Sequence, residues 1–250
     1  MKKAKNFLIS LLIVCIGVAT LGFAGCKEEA KRLDVDSFTK DSEGLELKFN
    51  SSSNSYSVES IGSCTDEVLV IPQSYQGYPV VRILREAFQG NKGVKGVIIP
   101  GSIERIDNSA FLACYDLVEV VIKEGVKEIW ELAFYNCNSL KYVELPDSLT
   151  TIFNRAFEDC EKLESIEIPQ NVTMISNNAF KYCSSLKEIA IPQSVTYLGH
   201  SIFAGCRKLS KITYEGTMEE WNEIKKGYTL TEESTPAKEV ICSDGSVPIE

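Results

Sequence analysis

Apolar residues recur in this chain on two scales. Over short stretches they alternate, as in Leu140-Lys141-Tyr142-Val143-Glu144-Leu145, where Val143 and Leu145 fall on one side and Tyr142 and Glu144 on the other. Alternation of period two predicts a short strand with one buried face. Over longer stretches the whole pattern returns every 23 residues. Phe88, Phe111, Phe134, Phe157, Phe180 and Phe203 keep that interval without a slip, with alanine before the first five and Ile202 before the sixth. Three residues after the ring stand Asn91 and then Cys114, Cys137, Cys160, Cys183 and Cys206. The strand positions Val97, Val120, Val143, Ile166, Ile189 and Ile212 follow, and two residues on come Ile99, Ile122, Leu145, Ile168, Ile191 and Tyr214. Ile106, Ile129, Ile152, Ile175 and Leu198 mark the way back.

One such unit cannot bury its inward face alone, whereas stacked copies make a continuous core. The pattern therefore predicts a repeat solenoid of about six coils of 23 residues. One face is a parallel β-sheet, the other carries short helical turns at the Ala-Phe steps, and a cap closes each end. Pro100, Pro146, Pro169 and Pro192 stop four of the strands, because proline cannot donate to the ladder. The first coil is longer, with 28 residues from Pro72 to Pro100. Glu219-Glu220-Trp221-Asn222-Glu223-Ile224 reads as a helical cap. The expected divisions are a leader over 1–25, a tether over 26–44, an N-terminal cap over 45–72, the solenoid over 73–214 and a C-terminal cap over 215–250.

The first 26 residues carry an address. Lys2, Lys3 and Lys5 precede an apolar run from Phe7 to Val18, and small residues lead to Cys26. That order is a secretory signal, too short and wrongly flanked for a spanning helix. It resembles the bacterial lipoprotein signal, with Phe23 where that signal usually carries Leu. The resemblance implies that Cys26 takes lipid and becomes the new N-terminus, so the chain is exported, anchored to a bacterial membrane by lipid alone and held at the cell surface.

Charge and histidine content narrow the chemistry. Lys plus Arg number 26 against 35 Asp plus Glu, a net charge of −9, which leaves no basic stripe for nucleic acid. With one histidine, His200, most Ser-His, Cys-His and multi-histidine metal designs are excluded. No catalytic constellation, metal site or cofactor site is expected. Cys15 lies in the leader, and the ladder cysteines lack C-x-x-C spacing. A small residue whose weak polar hydrogen meets a backbone carbonyl in a buried turn satisfies their slot, with disulfides between neighbours as the alternative. Trp130 reads as a packing residue and His200 as an exposed loop residue.

Leu163-Glu164-Ser165-Ile166-Glu167-Ile168-Pro169, followed by Val172-Thr173-Met174-Ile175 and Ala179-Phe180-Lys181-Tyr182-Cys183, resembles the BspA-like, or Treponema-type, leucine-rich repeat. The resemblance runs over roughly residues 45–250. It implies a cell-surface protein without catalysis that adheres to a protein partner, such as host matrix or a neighbouring cell's surface protein. Because packing fixes the inward positions, the outward ones would encode that partner. They include Ile98 and Val121 beside Glu119 and Tyr142, and then Glu144, Glu167 and Glu188. The carboxylates could hold Ca²⁺ or polarise a sugar, and serve equally as a solvated face for the strands. A glycan-binding accessory lipoprotein is the alternative function, but sugar platforms need exposed rings in a row and the strand face offers only Tyr142.

Overall fold

The computed structural model describes residues 32–249 apart from Leu33 and Glu233. The leader and Cys26 therefore lie outside the described residues. From the first coil onward the chain is a stack of 23-residue turns, most of them placing one strand on a broad face and a two-residue strand on the return. On the broad face Val68–Val70, Gly96–Ile99, Glu119–Ile122 and Tyr142–Glu144 form a parallel sheet. A second sheet joins Glu188–Ile191, Lys211–Tyr214 and Glu239–Cys242 in parallel and closes on the antiparallel strand Gly245–Pro248. The return sheet runs from the Glu46–Asn50 and Ser55–Ser60 hairpin, through Tyr78–Ile83 and the two-residue strands around Ile106, Ile129, Ile152, Ile175 and Leu198, to Lys225–Lys226.

The periodic residues are the core. All six phenylalanines are buried, and their rings stack in sequence with centroids 4.9, 5.1, 5.3, 5.5 and 6.2 Å apart. The widest step lies between Phe180 and Phe203, where Ile202 takes the place of the small alanine. Around this spine the turn face is hydrogen-bonded from coil to coil: the Phe111 N–H donates to the Ala133 carbonyl at 2.8 Å, and the Phe134 N–H to that of Ala156 at 2.8 Å.

That face consists of tight turns rather than helical segments. Glu86, Ser109, Leu132, Arg155, Asn178 and Ser201 are left-handed, with φ between 52° and 62°. A second left-handed residue follows the ring in each coil: Gly90, Ala113, Asn136, Asp159, Tyr182 and Gly205. Two reversals of handedness around each Ala-Phe step stop a right-handed helix from propagating. Glycine is required at the last of these slots, because a Cβ on Gly205 would stand 2.2 Å from the Tyr182 ring.

The broad sheet is not continuous. No ladder pairing joins Ser165–Ile168 to either neighbour among the described residues. The prolines explain where it loosens. Lys123 donates to the Ile99 carbonyl at 2.9 Å and Glu215 to that of Ile191 at 3.0 Å, whereas Pro146, Pro169 and Pro192 occupy the equivalent position in the three coils between them and have no N–H to give.

Both ends are sealed. Ser42 donates to the Val70 carbonyl at 2.9 Å, accepts from its N–H at 3.0 Å and bonds Asp66 at 2.7 Å, so the chain is docked before residue 45. At the far end the helix Met218–Glu223 starts in a capping box made by Thr217 and Glu220 and lays Trp221, 3% exposed, against Tyr214. The Lys226 ammonium closes its C-terminus on the Trp221 and Ile224 carbonyls, and burial lowers its pKa from the ordinary lysine value.

Candidate functional site

Two outward rows cross the broad face. Val70, Ile98, Val121 and Glu144 are in register along one, and Val68, Gly96, Glu119 and Tyr142 along the other. Their first half is closed. Ile98 and Val121 are 7% and 1% exposed, on the outward side of the sheet and apart from the continuous core. Two apolar side chains in register on neighbouring strands form a patch that the fold covers instead of leaving to water. Glu119 is likewise 5% exposed, its carboxylate 3.3 Å from the Arg32 guanidinium. Arg32 also reaches Glu144 at 3.8 Å and lies 5.6 Å from the centre of the Tyr142 ring, which Lys141 approaches from 5.1 Å. The expectation that Ile98, Glu119 and Val121 stand free on the surface is therefore corrected. Tyr142 is half-buried and engaged by cations, and Glu144 is exposed.

The second half is open. A cleft of about 600 Å³ lies over the broken part of the sheet, lined among others by Glu167, Glu188, Ala190, Lys211, Thr213 and Glu215. Glu167 and Glu188 are exposed there, and Gln170 spans to Glu215 at 2.7 Å. Glu164 sits at its side between Lys141 at 3.7 Å and Lys187 at 2.6 Å. Among the described residues no group of three or more His, Cys, Asp or Glu side chains is placed to hold a metal ion. The arrangement offers charge and shape to a partner.

The cysteine ladder belongs to the interior. Each thiol donates to the phenylalanine carbonyl of the preceding coil: Cys114 to Phe88, Cys137 to Phe111 and Cys206 to Phe180 at 3.1 Å, Cys183 to Phe157 at 3.2 Å, and Cys160 to Phe134 at 3.3 Å. All five are free thiols, as are Cys64 and Cys242. Burial pushes Cys114 and Cys206 up to about 12 and holds Cys137, Cys160 and Cys183 well above the ordinary thiol value. Asn91, in the first coil, instead accepts from the Val94 N–H at 3.4 Å.

Trp130 is stacked under the Arg105 guanidinium at 4.2 Å and donates its Nε1–H to Glu128 at 2.8 Å. Arg105 and Arg82 share Asp107, at 2.7 and 2.6 Å, while the buried Nε of Arg82 has no hydrogen-bond partner among the described residues. His200 is exposed, with its backbone N–H held by the Asn177 side chain.

One group of residues escaped sequence reasoning. Phe49, Tyr56, Tyr75 and Tyr78 meet at the N-terminal cap with ring centroids 5.0–6.5 Å apart. They come from four separate strands and share no period. The signal that could have found them is the extra length of the first coil, which goes into a hairpin pairing Ser74 with Pro79 and Tyr75 with Tyr78.

Residues 104–224 match the family described as the BspA type leucine rich repeat region, in six copies. No curated protein matches the chain. Among solved structures it is similar to the leucine rich repeat protein of T. pallidum, at 23% identity and a TM-score of 0.52, over 77% of this chain and 84% of that one. It is similar to a leucine rich cell surface protein of Faecalibacterium prausnitzii at 26% identity and a TM-score of 0.51, over 70% of this chain and 54% of that one. To the pneumococcal vaccine antigen PcpA it is similar at 21% identity and a TM-score of 0.60, over 70% of this chain and 49% of that one. The chain thus spans about half the length of the latter two. Ring stack, thiol ladder, repeat interval and family match agree, and the coils of this chain are BspA-type leucine-rich repeats.

Proposed function

We propose that the chain is an exported, lipid-anchored display module that binds a protein partner through the open half of its broad face, in the manner of an adhesin and without catalysis. In this reading residues 1–25 are the leader and Cys26 carries the lipid, and the tether expected over 26–44 is shortened, because Arg32 and Ser42 are already bonded to the solenoid. The solenoid of 73–214 between its two caps presents the contact residues. The observation that carries the reading is the contrast along one rigid sheet. Its first outward positions are closed, while Glu167 and Glu188 remain exposed over a cleft that Lys211 and Thr213 complete. The similarity to a cell surface protein of Faecalibacterium prausnitzii supports the location. A basic patch on the partner suits two exposed carboxylates, and salt should slow its association.

The experiment is a binding assay of the intact chain against extracellular matrix proteins. Glu167→Lys with Glu188→Lys should weaken a discovered partner at least tenfold, roughly 1.4 kcal/mol, with the melting temperature unchanged. Binding that survives this variant and is lost instead on replacing Lys181 and Tyr182 places the contact on the turn face. For the anchor, Cys26→Ala should release the protein from the membrane fraction and abolish labelling by a fatty-acid analogue. Persistent labelling would refute the lipid assignment.

A further inference from the structure

In the aromatic group at the N-terminal cap only Tyr56 packs against the core of the stack. Tyr75 and Tyr78 stand on a hairpin turned by the left-handed pair Gln76 and Gly77, outside the coil's own path. Phe49, Tyr75 and Tyr78 are 42%, 44% and 41% exposed, although each packs edge-on or tilted against another ring of the group. The Tyr56 hydroxyl donates to the Gln76 side chain at 3.0 Å, which ties the hairpin to the sheet and fixes the rings. Four other rings are already under cations, Trp130 under Arg105, Tyr142 under Arg32 and Lys141, Tyr182 under Lys181 and Tyr197 under Lys225, whereas Tyr115 and Tyr228 are exposed singly and outside the cap group. Among the described residues no lysine or arginine lies over any of the four cap rings.

Their surroundings are unusual for this chain. The segments 49–58 and 68–81 contain no Asp, Glu, Lys or Arg, in a sequence of which 24% is charged. They supply instead the hydroxyls and amides of Ser51, Ser52, Asn54, Gln73, Ser74 and Gln76, all exposed. Ring faces rimmed by neutral donors and acceptors match a ligand with apolar C–H faces and many hydroxyls, and they offer nothing to a charged one. Size points the same way. Three to four rings with about 40% of ~200 Å² each in the open amount to roughly 300 Å², well short of the ~800 Å² per partner of a stable protein interface. A few sugar residues cover that area.

We infer that the N-terminal cap carries a second binding site, a stacking platform made by Phe49, Tyr56, Tyr75 and Tyr78 for a neutral oligosaccharide. It is separate from the protein contact proposed for the broad face.

The test applies the intact chain to an array holding neutral glucose, mannose, galactose and N-acetylglucosamine oligomers beside sialylated and sulfated glycans. A neutral oligomer should bind, and Tyr75→Ala with Tyr78→Ala should weaken it at least tenfold without changing the melting temperature, since neither ring belongs to the core. Tyr75→Phe with Tyr78→Phe keeps the ring faces and should retain affinity within threefold. Glu167→Lys with Glu188→Lys should leave glycan binding untouched, which separates this site from the other. Retention confined to charged glycans, absence of neutral binding at millimolar concentration, or binding indifferent to the alanine pair would each overturn the inference. So would loss of a protein ligand, instead of a glycan, on removing the rings.

Discussion

The turn-side interior and the broad face are built from the same coils, and they obey different rules. Inside, rank by rank, the residue hardly changes: a ring under a ring, a thiol under a carbonyl. Outside, the rank that begins with Val70 continues through Ile98 and Val121 to Glu144 in register, passing from aliphatic to charged. A buried position must fit neighbours above and below it at interior packing density, so one solution propagates. An outward position meets solvent or a partner and is free to differ. The difference teaches where recognition can reside in such a scaffold: in whatever breaks the period.

The contrast is broken most severely from within. Phe157 is fully buried between Phe134 and Phe180, so Phe157→Ala should cost about 3–5 kcal/mol, read as a lowered denaturation midpoint. A smaller loss is expected for Cys160→Ser, about 1–3 kcal/mol, because a hydroxyl fits the sulfur's place poorly. Partner binding should be unaffected. In the native protein the ladder thiols should resist alkylation at neutral pH and react promptly after denaturation, and mass spectrometry finding them paired would contradict their role.

Alkali sharpens the point. A thiol whose pKa is raised by burial binds its proton more tightly folded than unfolded, so its contribution is fully present below the unfolded value, near 9, and is lost as pH rises through the folded one. The melting temperature should begin to fall above pH 9 and continue falling towards about 12, where Cys114 and Cys206 titrate. Replacing Cys114 with Ala should make that limb shallower. The smallest effect belongs to the outside. Arg32 is 51% exposed, so Arg32→Ala should change stability by no more than about 1 kcal/mol, while hydrogen exchange around Glu119 and Tyr142 rises.

These effects follow how far the sequence could be read. Ring spine, strand ranks and thiol slots were legible because each is forced by contact with an identical neighbour 23 residues away, and the interval reports that contact directly. That the Cys137 thiol meets a backbone carbonyl was legible from its slot, whereas the position of that carbonyl one coil back, on Phe111, was not. What the interval could not carry was anything contributed from outside the coil. Ile98 and Val121 look outward by alternation, and alternation says nothing about a covering layer. The rupture at Ser165–Ile168 arises from three prolines in successive coils, each of which reads alone as an ordinary strand stop. The cap rings converge from strands that pair across a hairpin, where no repeat relates one to another.

The thiol-to-carbonyl link has a consequence for how such a chain can change its length. Every bond of the spine joins an atom to its counterpart one coil away, so a whole coil added or removed brings or takes a complete set and leaves its neighbours matched. A fragment of a coil inserted mid-stack would shift every later ring off its partner. The five extra residues of the first coil are tolerated because they leave the stack sideways, as a hairpin, and the chain resumes pairing at Val80, with one register shift before Arg82 and Ile83 align with Ser57 and Val58. Growth is thus free in whole steps of 23 and nearly forbidden between them, except where the addition can stand clear of the pile.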